Sequence, residues 1–313
     1  MRLLRRGLVV LAGLFAVLAF GVLPYWLAGR LTRGSYHYND KENAGLTPAS
    51  FQLPFEDLSL RTADGLTLKG WWVPAPDARG SVVLVHGLNR SRIEMVKKVP
   101  FLHERGWNAL LFDLRHHGDS QGGVTGLGFY EKQDVKAAVD EARARSHAPV
   151  VVWGVSLGAA SALLEAAEDT DVAGVVADSS FRSLRDTVEH HARLFRRFRW
   201  WTRLIPVWPT AEEIVFWIGR RGGFDPDAVD VKAAAAHLVG RPVLFVCNSG
   251  DRRIPEDVAF DLKQAVGPTA EVLVVPGDSH GGAYRDGTAA YQTAVARVLD
   301  ASGAPSARLA ASR

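Results

Sequence analysis

Cysteine is almost absent from this 313-residue chain. Cys247 stands alone, which excludes an internal disulfide framework and any multi-cysteine zinc or iron–sulfur site. Charge of one sign is scarce too: 37 Lys and Arg against 34 Asp and Glu leave a formal +3, too little to mark a nucleic-acid binder. The 30 glycines and 15 prolines have no period, so collagen-like sequence is excluded, and no internal repeat is visible. What the chain does have is 47% apolar residues, ordinary for a globular protein and far above a disordered one. The length allows one large domain or two small ones.

Charge is missing altogether from Gly7 to Gly29, a stretch preceded by Arg2, Arg5 and Arg6. As a helix it spans about 35 Å, enough for a hydrocarbon core of about 30 Å. Val17-Leu18-Ala19 is a passable signal-peptidase site. The apolar run nevertheless continues to Tyr25-Trp26-Leu27, an interfacial aromatic pair followed by Arg30 and Arg33. We read residues 1–29 as an uncleaved transmembrane signal anchor, with a cleaved signal as the alternative, and residues 30–50 as a tether. The leading arginines favour N-inside and a domain outside the cytoplasm, while Arg30 and Arg33 weaken that asymmetry.

From Phe51 the pattern turns strand-like. Leu58-Ser59-Leu60 alternates, Ala63-Asp64-Gly65 signals a turn, and Leu66–Val73 resumes, which predicts an antiparallel hairpin. Apolar runs then recur at Ser81–Val85, Ala109–Phe112, Val150–Trp153, Val172–Ala177, Val243–Cys247 and Glu271–Val275. Such runs suit parallel strands covered on both faces. Helical patterns lie between them at Arg92–Arg105, Glu131–Arg145, Leu157–Glu168, Pro255–Val266 and Ala283–Leu299. The expected class is α/β: a mostly parallel central sheet with helices on both faces, over residues 51–301. The Ala/Ser-rich stretch 302–313 reads as a frayed tail.

One segment lacks any strand signal. The roughly 60 residues from Ser180 to Arg241 are too many for a structureless loop in a compact domain. We expect a helical cap over residues 181–240. From Arg182 to Arg221 it holds nine arginines against Asp186, Glu189, Glu212 and Glu213, and it carries Trp200, Trp201, Trp208 and Trp217. Two readings stay open: a basic, Trp-bearing lid facing a membrane or an anionic substrate, or a helical cap with buried tryptophans and a solvated basic face.

Gly154-Val155-Ser156-Leu157-Gly158 follows one apolar run and precedes a small-residue helix, the strand–turn–helix setting of a G-x-S-x-G nucleophile elbow. The turn at Ser156 is tight, and side chains two residues either side would collide with neighbouring elements. Ser156 is therefore the candidate nucleophile. His86-Gly87-Leu88 ends the first parallel strand, and the N–H groups of Leu88 and Leu157 are candidates for an oxyanion hole. Asp251 follows the strand Val243–Cys247, and His280 follows the last strand, so both belong at the sheet edge that carries Ser156. His280 would take the serine proton and Asp251 would hold the imidazole. Asp178, at the end of Val172–Ala177, is a rival acid. Asp278 reads as a solvated or turn-capping residue, His86 as a structural histidine, and Asp113 as a loop tie through Arg115 and Ser120. Adjacent His116 and His117 point different ways and read as solvent-exposed rather than as metal ligands.

The ordered set H-G-x, D-x-R-x-x-G-x-S, G-x-S-x-G, G-D-x-x-I-P and G-x-x-H resembles the alpha/beta-hydrolase superfamily. It is most similar to the membrane-anchored bacterial branch related to serine aminopeptidase-like and lysophospholipase-like hydrolases. The likeness covers about residues 51–300. It implies hydrolysis of an ester, thioester or amide through an acyl-enzyme, with no cofactor and no metal. His116, where the family often has Gly, and the Arg/Trp-rich insert both depart from the pattern. Other readings are a peptidase of aminopeptidase type and a catalytically silent hydrolase-fold binding protein. The insert holds no acidic cluster to anchor a peptide amine. The expected partners are a small-molecule or lipid-like acyl substrate and, through the N-terminal helix, a membrane.

Overall fold

The structure, a computed structural model, describes residues 2–33, 43–198 and 200–303, and of Trp201 the backbone alone. A continuous helical rod opens it: α1 (Arg2–Val17), a π turn (Leu18–Val22) and α2 (Leu23–Arg33). Taken together, Arg2–Arg33 is long and apolar enough to cross a membrane. The helix runs four residues past the charge-free stretch, because Arg33 is held by a backbone carbonyl of a later helix. Of the expected tether, residues 34–42 lie outside the described residues; residues 30–33 continue α2, and Pro48–Phe51 forms a 3-10 turn at its end.

The hairpin is β1 (Glu56–Arg61) and β2 (Thr67–Val73). Alternating units follow: β3 (Gly80–Val85), α3 (Val99–Glu104), β4 (Trp107–Phe112), α4 (Glu131–Ser146), β5 (Val150–Val155), α5 (Leu157–Glu168) and β6 (Val172–Asp178). Helices alone then occupy the chain: α6 (Leu184–Phe195), a 3-10 turn (Trp200–Leu204), α7 (Val207–Gly222) and α8 (Val231–Ala235). The chain returns to the sheet through β7 (Val243–Asn248), α9 (Asp257–Val266), β8 (Ala270–Val275), α10 (Ala283–Asp286) and α11 (Thr288–Gly303).

The eight strands order as β1-β2-β4-β3-β5-β6-β7-β8. Pairs β1–β2 and β2–β4 are antiparallel, and every other neighbouring pair is parallel. Strands β3, β4, β5 and β7 are buried along their whole length, as continuous Val/Leu/Phe runs require. One face packs on α4, α5, α8 and α9, the other on α3, α10 and α11. This is the alpha/beta-hydrolase architecture expected from the sequence. Because β3, β5, β6, β7 and β8 run parallel, the loops that follow them open on one edge of the sheet.

Three local expectations fail. Arg92–Arg105 is not one helix: Arg92–Lys98 is a 3-10 stretch, and α3 starts only at Val99, with Pro100 in its first turn. The last helix is broken at Gly287, where a Cβ would lie 2.7 Å from Val275, so the chain must thin out to pass β8. Ser302 is not frayed; it is helical and buried, with its hydroxyl packed over Gly174. Gly303 closes the same helix, and residues 304–313 lie outside the described residues.

Candidate active site

The β5–α5 turn is steric from end to end. Ser156 sits at φ 52°, ψ −113°, a conformation L-residues avoid. A Cβ on Gly154 would stand 2.3 Å from the backbone of Gly158, and one on Gly158 would stand 2.4 Å from the Val85 carbonyl oxygen. Only glycine at both positions lets the turn close and α5 press against the end of β3. The Ser156 N–H donates to the Asp178 carbonyl at 2.8 Å, and the Ser156 carbonyl accepts from Ala160 at 3.0 Å. With its backbone held on both sides, the side chain projects at the N-terminal end of α5.

His280 reaches this hydroxyl. Its Nε2 lies 2.8 Å from Ser156 Oγ, and its Nδ1 lies 2.7 Å from Asp251 Oδ2. Those partners match the tautomer in which Nδ1–H donates to the carboxylate and Nε2 accepts from the serine. The other Asp251 oxygen, Oδ1, accepts from the backbone N–H groups of Arg253 at 2.8 Å and Ile254 at 3.2 Å. Burial pushes the Asp251 carboxyl up, but the His280 bond and charge and those two amides outweigh it, and the group rests below its ordinary value. The structure therefore brings Ser156, His280 and Asp251 into one hydrogen-bonded line across 124 residues of sequence.

The loops bearing these residues are tied to each other. Gly250 N–H donates to the Gly277 carbonyl at 2.7 Å, joining the Asp251 loop to the His280 loop. Gly281 N–H donates to Ser179 Oγ at 3.2 Å, joining the His280 loop to the end of β6. Ser179 in turn donates to Asp178 Oδ1, while Tyr291 donates to Asp178 Oδ2 and accepts from the Trp153 indole. Asp178 is thus engaged on both oxygens and makes no hydrogen bond to His280. Burial pushes its carboxyl up, only partly offset by Ser179, Lys98 and Tyr291. The Ser179 link was not legible in the sequence: it joins positions 102 residues apart, and no local motif marks it.

The candidate oxyanion residues lie beside the serine. Leu157 opens α5, so its N–H belongs to the first turn, which lacks intrahelical acceptors. A Cβ on Gly87 would stand 3.6 Å from Ser156 Cβ, which sets the His86–Leu88 loop against the nucleophile turn. Glu94 Oε2 steadies that loop by accepting from Gly87 N–H at 2.8 Å. His86 is fully buried, and its Nε2 accepts from Leu114 N–H at 3.0 Å. Burial pushes its pKa down to about 4, so the ring is a neutral structural link between β3 and the loop after β4.

Two neighbours behave differently from expectation. Asp113 does tie a loop, but Arg92 holds its carboxylate, together with the Asp119 N–H at 2.9 Å; Arg115 turns away to Asp64 and Asp134. Ser120 contributes as expected, through the Asp113 carbonyl at 2.6 Å. His117 is not exposed: it is fully buried with its ring 5.2 Å from His86, because the turn after β4 folds inward over the sheet end. His116 is half-buried, at φ 62°, with Nδ1 3.2 Å from the Gly122 carbonyl. Asp278 is exposed, and no metal-holding cluster of His, Cys, Asp or Glu occurs among the described residues.

Comparison with known proteins agrees with the architecture. Residues 82–303 match the profile of the alpha/beta hydrolase family. The chain is 29% identical over 244 residues to the uncharacterized protein YqkD of Bacillus subtilis, covering 76% of this chain and 77% of that one. It is 26% identical over 195 residues to the uncharacterized membrane protein YNL320W of Saccharomyces cerevisiae, covering 60% of this chain and 67% of that one. Among solved structures it superposes on the Pyrococcus furiosus esterase Pf2001 with a TM-score of 0.67, over 82% of this chain and 96% of that one. At 22% identity, that likeness speaks for the fold alone.

Proposed function

The chain belongs to the alpha/beta hydrolase family, and from that premise we propose that it is a serine hydrolase acting on a carboxylic ester through an acyl-enzyme. The observation that carries this reading is the line Ser156 Oγ, His280 Nε2, His280 Nδ1, Asp251 Oδ2, with links of 2.8 and 2.7 Å. Ser156 attacks the acyl carbon while His280 takes its proton. Asp251 keeps the ring in the accepting tautomer and stabilises the imidazolium that forms. The N–H groups of Leu88 and Leu157 receive the developing oxyanion. His280 then protonates the leaving alcohol, and a water activated by the same ring releases the acid.

We further propose that α1, the π turn and α2 anchor the protein in a membrane, N-terminus inside, with the hydrolase body on the far side. The supporting features are the 32-residue helix Arg2–Arg33 and the arginines at its start, ahead of the charge-free stretch from Gly7. The segment between β6 and β7 is proposed as a cap that governs substrate choice, since it leaves the sheet at the edge bearing Ser156.

A fluorophosphonate probe tests the chemistry. Labelling of the full chain, lost in Ser156→Ala, is the expected result; equal labelling of both would discard the assignment. Intact mass of the protein from its native membrane tests the anchor, and a mature N-terminus near Phe20 would discard it.

A further inference from the structure

The N-terminal rod does not stand apart from the hydrolase body. Its α2 lies along α7, with the Tyr25 and Trp217 rings edge to face at 5.1 Å and the Arg221 guanidinium 4.2 Å above Tyr25. The same guanidinium crosses Gly29, where a Cβ would meet it at 2.9 Å, and Arg33 donates to the Arg221 carbonyl at 3.0 Å. Ala28 and Thr32 are fully buried.

These contacts set a direction. Residue 25 meets 217, and residues 29 and 33 meet 221, so the two helices run parallel. The N-terminal end of α7 therefore points back down the rod, and the π turn Leu18–Val22 also lies against α7, with Ala19 buried. If hydrocarbon begins at Gly7, about 20 helical residues bring its far boundary near Trp26. The lower end of α7 then hangs below the level of the Tyr25-Trp26 pair, which suits the headgroups.

The extreme tip of that lower end is apolar and faces outward; the first carboxylate above it, Glu212, is paired with Arg185. Trp208 is 76% exposed, and the chain leading to it adds Phe198 at 71%, Trp200 at 77% and Leu204 at 60%. Single exposed apolar residues are ordinary, but four large ones on one short stretch of chain are not. Exposed Arg197 and Arg203 border them, placed to reach lipid phosphates.

Helix α6 also links the tip to the neighbourhood of the candidate site. Helix α6 passes the acid loop, with His190 Nε2 2.9 Å from the carbonyl of Arg252, the residue after Asp251. Five residues later, about 7.5 Å along the axis, α6 ends at Phe195 where the tip begins.

We propose that the tip formed by Phe198, Trp200, Leu204 and Trp208 is embedded in the leaflet from which the rod emerges, and that the site draws its acyl esters laterally from that leaflet. This rests on the anchor and hydrolase readings above. The substrate class is a bilayer-resident acyl amphiphile, its chain in the leaflet beside the tip and its ester carbonyl raised to Ser156.

The test uses the full chain in liposomes of phosphatidylcholine and phosphatidylglycerol. Native Cys247 is buried, so an environment-sensitive thiol dye will report introduced cysteines. Three variants suffice: Leu14→Cys in the rod, Trp200→Cys in the tip and Glu104→Cys on α3, across the sheet. Dye at 14 and at 200 is expected to be quenched by nitroxide lipids and shielded from iodide, and dye at 104 to show the reverse. Position 200 behaving like 104 while 14 is embedded would overturn the proposal and leave the anchor standing. Position 14 exposed to water would overturn both. Fluorophosphonate labelling reads the hydrolase chemistry independently of either result. In parallel, Trp200→Ser with Trp208→Ser should lower turnover of a long-chain ester in vesicles about tenfold or more, with a short soluble ester changed less than about twofold. Equal losses on both would overturn the substrate class.

Discussion

The turn around Ser156 and the tip between β6 and β7 are built by opposite rules. At the turn, a missing Cβ is the structural element: Gly154 and Gly158 are in contact with backbone, and nothing larger fits. At the tip, large side chains face outward, with Trp200 and Trp208 about three-quarters exposed. Close packing of backbone defines where the reacting atoms stand to within a fraction of an ångström. Outward-facing apolar surface defines nothing internal; its free energy is realised only against something else, in our proposal a lipid leaflet. On the proposed reading, chemistry and substrate delivery are separated in the chain, the first in the sheet-edge turns and the second in the helices between β6 and β7.

The sharpest way to break that division is to remove one reacting group. Ser156→Ala and His280→Ala should each lower ester turnover by about 10⁴-fold or more with the fold intact, and Asp251→Asn by about 10⁴-fold. Asp178→Asn should cost less than tenfold, since the Asp178 carboxylate bonds Ser179 and Tyr291 and reaches the His280 loop only through Ser179 and the Gly281 amide. Steady-state kinetics on a short ester, with circular dichroism as the fold control, decides. A crippled Asp178→Asn beside an active Asp251→Asn would reverse the assignment of the acid.

A buried carboxyl in the same layer should respond to pH where the tip cannot. Glu165 on α5 is 2% exposed, and its carboxylate has no hydrogen-bond partner among the described residues. Burial, with Asp169 nearby, pushes its pKa up to about 8 from an ordinary 4.5. The folded chain keeps this proton while the unfolded chain has lost it, so stability falls as pH rises from about 4.5 to about 8. Glu165→Gln cannot ionise. It should match the wild type near pH 4 and exceed it by a few kcal/mol at pH 9 in urea unfolding. Parallel pH curves for the two would show that the carboxylate finds a partner or water.

Gly158→Ala tests the steric rule directly. Its Cβ would meet the Val85 and His86 carbonyl oxygens at 2.4 and 2.6 Å, so either β3 or α5 must shift. A loss of about 1–3 kcal/mol is expected, with a larger proportional loss of activity as the Leu88 and Leu157 amides move apart. The smallest effect belongs to the tip: Trp208→Ala in detergent should change unfolding free energy by less than about 0.5 kcal/mol. A loss comparable to that of Gly158→Ala would show that the tip packs inward.

Legibility followed the range of the interaction. The parallel strands could be read from continuous Val, Leu and Phe runs, because each run must be buried on both faces. The Ser156 turn could be read from five residues because Gly154 meets Gly158 within them; the second demand, Gly158 against the Val85 carbonyl of β3, arises only once the sheet has assembled. The Arg92–Asp113 pair could not be read, since Arg115 is nearer in sequence and equally charged. Nor could the burial of His117, which depends on the loop after β4 folding back onto His86.

What the sequence determined by itself was therefore local and periodic: an apolar N-terminal helix, an alternating α/β order, and a serine in a glycine-bounded turn with an aspartate and a histidine after later strands. What the tertiary structure decided was which groups meet. It set Asp251, not Asp178, 2.7 Å from His280 Nδ1. It also laid α2 along α7 with Ala28 sealed between the rod and the body, which turns the end of α7 back down the rod. The physical reason is the same in both cases. A side chain's type and neighbours in sequence dictate what it can bond, but the partner comes from a segment up to about 190 residues away, brought near only when the sheet has assembled.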